Sequence, residues 1–424
     1  MSLLIKGALH QGESCDILID GNRIAHIGAI TQTADRILDA RGKAVIPAFY
    51  NTHTHAAMTC MRGLADDREL FDWLNNHIWP FEALLTPEDI YLCSRLAVVE
   101  MIQTGTVFFN DMYWHAAETL RAVEEFGMRA ALGRVIIEAT PGVVSHEIQS
   151  ANAEFNRVLK TASERIVATY APHAIYTVSE ATLMQIAAQA KAENAYLHIH
   201  ASETVREVNT CYAQHGMSPI FWLDHCGMLT ASTTLAHCVH LSDDDIALIR
   251  DRGCLIAHNP ISNLKLASGL FNYERTVEQG RCKVSIGTDG CASNNNVSML
   301  EEMKFAALIA KIQSMHSTCA PADVILRHAT RDAAQAFQID AGEIAVGRLA
   351  DLVLVDLRNP MMVPCHNLVS NLVYAADSAC IDTVICDGKI LMENKIIPGK
   401  DDIVDDALEC CYRLISKMRR QRDR

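Results

Sequence analysis

The sequence predicts an α/β chain: a (β/α)8, or TIM, barrel over residues 48–347, with a composite β-sandwich assembled from residues 1–47 and 348–424. Three observations carry that expectation. Short apolar runs alternate with helical patterns through the middle of the chain. Strand-like stretches with turn signals recur at both ends. Residues able to do chemistry gather at the C-terminal ends of the apolar runs.

At the N-terminus, "LLIKGAL", "CDILIDGNRIAHIG" and "RILDARGKAVIP" read as short strands, punctuated by Asp20-Gly21-Asn22 and Arg41-Gly42. Barrel strands are expected at "AFYNTHTH", "TVFFND", "AALGRVI", "IVATYAPHA", "AYLHIHASE", "TTLAHCVH", "CLIAHNP" and "KVSIGTDG". Helical patterns intervene, as in "DIYLCSRLAVVEMIQTG" and from Glu180 to Asn194. Ser242 followed by three aspartates is a strong helix start, a cap with negative charge in the first turn. Near the C-terminus "ADLVLVDL", "DTVICDGKIL" and "NKIIPG" return to the texture of the first 47 residues, so both ends are expected in one sheet domain. A helix should follow from Asp401 to about Met418, assigned with that domain.

The chain has 424 residues, half of them hydrophobic, enough to bury a large core. Its formal charge is −14, and the one basic cluster is the tail "KMRRQRDR", which reads as a solvated helix end. A nucleic-acid partner is therefore not expected. Fifteen cysteines in an odd, irregular set without a CxxC pair point to buried free thiols in a reducing cytosol rather than a disulfide framework. The N-terminus lacks a signal-peptide apolar region and no run of 18 apolar residues occurs, so the expectation is a cytoplasmic protein without a membrane span. "SNLK" lacks the partner motifs of a serine acylase, and "NVS" at Asn296 matters only for a secreted chain.

His53 and His55 in "NTHTH" are two residues apart, and in a strand such residues share a face. The pair is either a ligand set or an oddly polar strand end. Asp111, Arg134, His173, His200 with Glu203, His237, His258 and Asp289 occupy the ends of the other strands. A lone histidine there is more often a satisfied buried side chain. A rim on which nearly every strand ends in one is better explained as a site. His53, His55, His200 and Asp289 suit one borderline divalent ion such as Zn2+, with a position left for water, although iron, manganese or cobalt accept the same donors. Such an ion brings the pKa of bound water near neutrality. Glu203 is expected to shuttle protons, His237 to hold or polarise the water, and Asp289 to take its proton while coordinating. Asp111 and His258 read as supports that orient ligands, and His77, His115, His146 and His240 as rim residues.

With "NTHTH", "HIHASE", "AHCVH", "AHNPISNLKLASG" and "GTDGCASNNN" in order, the chain resembles the amidohydrolase superfamily, and within it the 5′-methylthioadenosine/S-adenosylhomocysteine deaminases and related nucleoside deaminases. The resemblance implies a barrel with a composite β-sandwich, one zinc on His53, His55, His200 and Asp289, and catalytic Glu203 and His237. "TYAPHA" lacks the lysine that binuclear barrels carry there, which favours one metal. "RGLADDRELFDWLNNHIWPFE" is similar to the family's substrate loop, which would set Trp73 on the substrate and Glu82 on the ribose hydroxyls. Arg134, His173 and Ser293 fall at its substrate-binding positions, and Asn263 and Ser293 within its signatures.

One departure stands out: "IIEATPGVVSHEI" has no arginine where S-adenosylhomocysteine users have a second one, only Ser145 and His146 nearby. A two-arginine clamp that loses one fork grips a carboxylate weakly. The expected activity is hydrolytic deamination of a small-molecule adenine nucleoside, with 5′-deoxyadenosine, methylthioadenosine or adenosine ahead of S-adenosylhomocysteine. The rivals are deamination or dechlorination of another heterocycle (guanine, pterin, s-triazine), a ring-opening amide hydrolase, and a retired scaffold. A scaffold would have lost Glu203 or a ligand. A homo-oligomer is allowed, since barrels of this kind often pair.

Overall fold

A computed structural model describes residues 2–422. Eight parallel strands form its centre: β1 (Phe49–His55), β2 (Thr106–Asp111), β3 (Arg129–Ile136), β4 (Ile166–Pro172), β5 (Tyr196–Ala201), β6 (Thr233–His237), β7 (Leu255–His258) and β8 (Lys283–Ile286). They are near-continuous apolar runs because helices and the inner core cover both faces, as parallel sheets require. Strand order follows chain order from β1 to β8.

The eighth strand is broken. Its first part pairs with β7, Leu255 opposite Lys283 through His258 opposite Ile286. Three residues later Asp289–Gly290 pairs with β1, Asp289 opposite Thr54 and Gly290 opposite His55. The parallel sheet therefore curls until its last segment meets its first strand. Gly287 lies at the break, where a Cβ would come within 2.4 Å of Asn259 Oδ1 and 2.9 Å of His53. Only glycine lets the two strands approach so closely.

The chain ends build a second sheet. Lys43–Pro47 pairs antiparallel with Leu352–Asp356, which joins Ser2–His10, Glu13–Asp20, Arg23–Gly28 and Arg36–Asp39 to Ile381–Cys386 and Lys389–Met392. Alternation explains the unbroken "LVLV": Leu352 and Leu354 enter the sheet's own core, while Val353 and Val355 enter the core of the curled sheet. Buried Arg129 ties the two together, its Nε 2.8 Å from Asp351 and its guanidinium 2.6 Å from Asp387.

The C-terminal helix is longer than its sequence spacing suggests, Lys400–Arg422, and takes up most of the basic tail, whose last two residues lie outside the described part. Ile403 near its start joins the large core, together with Leu391 and Met392 of the mixed sheet. Cys410 and Leu414 join a satellite core with Ile90 and Cys93 of helix Pro87–Gln103 and with Trp73 and Phe81. All fifteen cysteines are free and most are buried. Among the described residues no helix is long and apolar enough to cross a membrane.

Candidate functional site

His53 and His55 end β1 on one face, as the period of two requires, with ring centroids 4.9 Å apart. His200 ends β5, and its Nε2 lies 3.3 Å from His55 Nε2. Asp289 crosses from the broken strand, with Oδ1 3.4 Å from His53 Nε2 and 3.2 Å from His55 Nε2. His237 ends β6 with Nε2 3.9 Å from Asp289 Oδ2. The donor atoms of His53, His200, His237 and Asp289 lie within 4.8 Å of one another. The structure thus gathers the four residues expected to hold metal, and adds His237 to the same cluster.

Hydrogen bonds set which nitrogen of each ring is free. His55 Nδ1 donates to the Met112 carbonyl at 2.6 Å, and His200 Nδ1 donates to the His173 carbonyl at 2.8 Å. A carbonyl can only accept, so in the neutral rings Nε2 is the nitrogen with the lone pair. His237 Nδ1 is 2.8 Å from Asn263 Oδ1, and His53 Nδ1 is 2.8 Å from His198 Nε2. His53 Nε2 is buried without any hydrogen-bond partner. A buried, unpartnered imidazole nitrogen facing a carboxylate costs stability unless something fills the gap. Burial holds His200 well below the ordinary imidazole range, as a neutral ligand should be. Burial acts to raise Asp289, yet the facing His53 and His55 keep it well below the carboxylate range. The donor set fits one borderline divalent cation such as Zn2+.

Glu203 follows β5 beside this cluster. Ser268 Oγ donates to its Oε1 at 3.0 Å, and its Oε2 lies 4.0 Å from His237 Nε2. Its backbone N–H and that of Ser202 donate to the buried carboxylate of Glu207 at 2.7 and 3.0 Å. Asp289 Oδ2 accepts from Ser262 Oγ (2.6 Å) and Ser293 Oγ (2.8 Å).

One pocket is lined by His55, His200, Glu203, His237 and Asp289 together with Trp73, Glu82 and His173. Burial pushes the Glu82 carboxyl up to about 7, against the pull of Tyr113 and Trp114. His173 Nδ1 is 3.0 Å from Thr177 Oγ1. Two expected substrate contacts lie elsewhere. Arg134 is on the outer side of β3, its Nε 2.6 Å from Asn156 Oδ1 and its guanidinium 4.7 Å from the Tyr170 ring. Strand alternation sends Val135 and Ile137 into the pocket instead. Ser293 sits behind Asp289 and does not line the pocket. Asp111 takes the Ala56 N–H at 2.7 Å, and His258 stacks on Phe271. Both stand outside the metal-fitting cluster.

The amidohydrolase family model matches residues 44–391, most of the chain. The chain belongs to the amidohydrolase family. As an amidohydrolase it is 41% identical, over 95% of its length and 94% of the relative's, to a 5′-deoxyadenosine deaminase of Methanosarcina mazei. It is 41% identical, over 92% of its length and 94% of the relative's, to a 5-methylthioadenosine/S-adenosylhomocysteine deaminase of Thermococcus kodakarensis. Its fold superposes with a TM-score of 0.91 on an adenosine deaminase from Xanthomonas campestris with bound zinc, at 31% identity and 98% coverage of both chains.

Reading the sequence missed several of this amidohydrolase's supporting contacts. His198 shares a face with His200 in "HIH" and was legible by spacing. Ser262, Ser268 and Glu207 were not, because their roles arise from loops that meet only in the fold.

Proposed function

We propose that the protein is a metal-dependent hydrolytic deaminase that replaces the 6-amino group of an adenine nucleoside with oxygen, releasing ammonia and leaving the inosine counterpart. The observation that carries this reading is one pocket in which the metal-fitting cluster and Glu203 face a half-buried carboxylate, Glu82, suited to a ribose diol. Deaminase relatives at about 40% identity support the adenine ring as the reacting group. The curled sheet is taken as a (β/α)8 barrel, and the mixed sheet as a composite β-sandwich of residues 1–47 and 348–424. Fifteen free thiols support a cytoplasmic location.

His53, His55, His200 and Asp289 would hold the ion, with His237 beside them, its Nε2 placed to hold the attacking water. Zn2+ bound there supplies a water acidified toward neutrality. Asp289, buried and anionic, takes the proton of the water that attacks C6. Glu203 keeps Oε1 on Ser268 and has Oε2 free to deliver a proton to ring N1; Asp289 then passes its proton to the 6-amino group, which departs as ammonia while the C6 hydroxyl proton returns to Glu203. His173 lines the pocket as a hydrogen-bonding wall, Trp73 stacks on the substrate and Glu82 accepts from the ribose hydroxyls.

Zinc-loaded protein should convert 5′-deoxyadenosine, methylthioadenosine or adenosine with one ammonia per turnover, followed by the ultraviolet change from adenine to hypoxanthine. Glu82→Ala should cost these nucleosides about 100-fold in kcat/KM while leaving a free base little affected. Inactivity on every adenine nucleoside, with turnover of guanine, a pterin or a triazine, rejects the substrate.

A further inference from the structure

Beside the pocket, across Glu82, lies a second cavity of about 550 Å3. Trp79, Glu82, Trp114, Val135, Ile137 and Tyr176 line both, so the two spaces adjoin. The far side of this annex comes from helix His146–Leu159, through Glu147, Ile148 and Ala151, with Leu85 and Ile90 across from it. The walls are largely apolar, and the space is far larger than a methyl group needs.

Its charges all have one sign or none. Among the described residues, no lysine or arginine lines either cavity. Arg134 lies on the outer side of the strand that presents Val135, engaged with Asn156. Three carboxylates line the annex: Glu82, Glu138 and Glu147. Glu138 is already used, accepting from the Gly142 N–H at 2.9 Å and from Ser179 N and Oγ at 3.0 Å. Glu147 is not, with its side chain 76% exposed and 3.7 Å from His115 Nε2.

We propose that this annex is the subsite for the nucleoside's 5′ substituent, shaped for an extended apolar chain that ends uncharged or as an amine, and that its acidic mouth turns away chains ending in a carboxylate. The inference rests on the nucleoside reading above. With the base at the metal-fitting cluster and the diol on Glu82, which lines both cavities, the 5′ carbon is the end that reaches the annex. An apolar chain then buries against Val135, Ile137 and Ile148, the ordinary hydrophobic gain. An anionic end leaves water for a wall with no cation to meet it and Glu147 to oppose it.

The test compares kcat/KM for 5′-deoxyadenosine, 5′-butylthio-5′-deoxyadenosine, and its length-matched 4-aminobutylthio and 3-carboxypropylthio analogues. Assays run at low salt and pH 8, where an ordinary imidazole is uncharged. The butylthio and aminobutylthio compounds should be turned over at least about ten-fold better than the carboxylate. Glu147→Lys, at an exposed position that tolerates it, should shrink that preference at least about three-fold. Ile148→Trp should lower the butylthio value about ten-fold relative to 5′-deoxyadenosine by filling the annex. A carboxylate compound handled as well as the amine overturns the proposal. So does rejection of every long chain while 5′-deoxyadenosine is deaminated. Failure with all nucleosides, 5′-deoxyadenosine included, overturns the functional reading first and the annex assignment with it.

Discussion

Asp289 has φ 59° and His237 has φ 72°, left-handed values that side chains other than glycine rarely adopt. Such strain persists where neighbouring contacts over-determine it. Ser262 and Ser293 pin the Asp289 carboxylate, and Asn263 pins the His237 ring. Ser268 does the same for Glu203, holding one carboxylate oxygen and leaving the other to face His237. Ser268→Ala should therefore lower kcat about ten-fold with KM nearly unchanged, and Ser268→Thr should restore most of it. An unchanged kcat, or a loss confined to KM, would show that Glu203 needs no such hold. Glu82 gives a second prediction. Burial pushes its carboxyl up to about 7, so it is protonated below that pH and ionised above it. KM for a nucleoside should fall as the pH rises from 6 to 8, and Glu82→Gln should raise KM and flatten that dependence. A KM that rises with pH in the same window would remove Glu82 from the ribose.

Elements show where sequence reading succeeds and where it slips. The ends of β1, β5 and β6 were legible because polar residues interrupt apolar runs at the same place each time, and that place is one rim. Arg134 slipped because likeness fixed its position in the chain but not its side of β3, and the inward parity of Val135 and Ile137 held the answer. The packing partner of the C-terminal helix stayed hidden for a different reason. Helical spacing gives a face but not its partner, and the partner is a helix some 300 residues earlier. Asp89 makes that joint: it closes the capping box of Thr86, and its carboxylate meets Arg413 and Cys410 Sγ. Burial acts to raise this carboxyl, but Arg413 and Thr86 bring it down to about 2. Its folded pKa thus lies below the unfolded value of about 4, so its contribution is whole above that pH and is lost as the pH falls toward 2. Asp89→Ala should cost about 2 kcal/mol at pH 7 and speed alkylation of Cys410. A variant with native Tm and native thiol protection would mean that the helix is anchored elsewhere.

At the scale of the whole molecule, the apolar periodicity announced the strand count and the return of the C-terminal strands to the N-terminal sheet. It could not announce how the parts lean on each other. Leu352–Asp356 serves two cores at once, and Arg129 reaches from β3 to Asp351 and Asp387 in the mixed sheet. Removing that arginine would strand a buried carboxylate, so the joint is costly to dissolve. The broken eighth strand has the furthest reach. The short piece that joins the curled sheet's last segment to its first strand is the same piece that carries Asp289 of the metal-fitting cluster. During synthesis, a nascent chain can display its imidazoles long before position 289 exists, yet it owns no complete cage until the seam is sewn. The metal-fitting cluster of this protein is thereby completed only by the segment that brings the curled sheet back to its first strand.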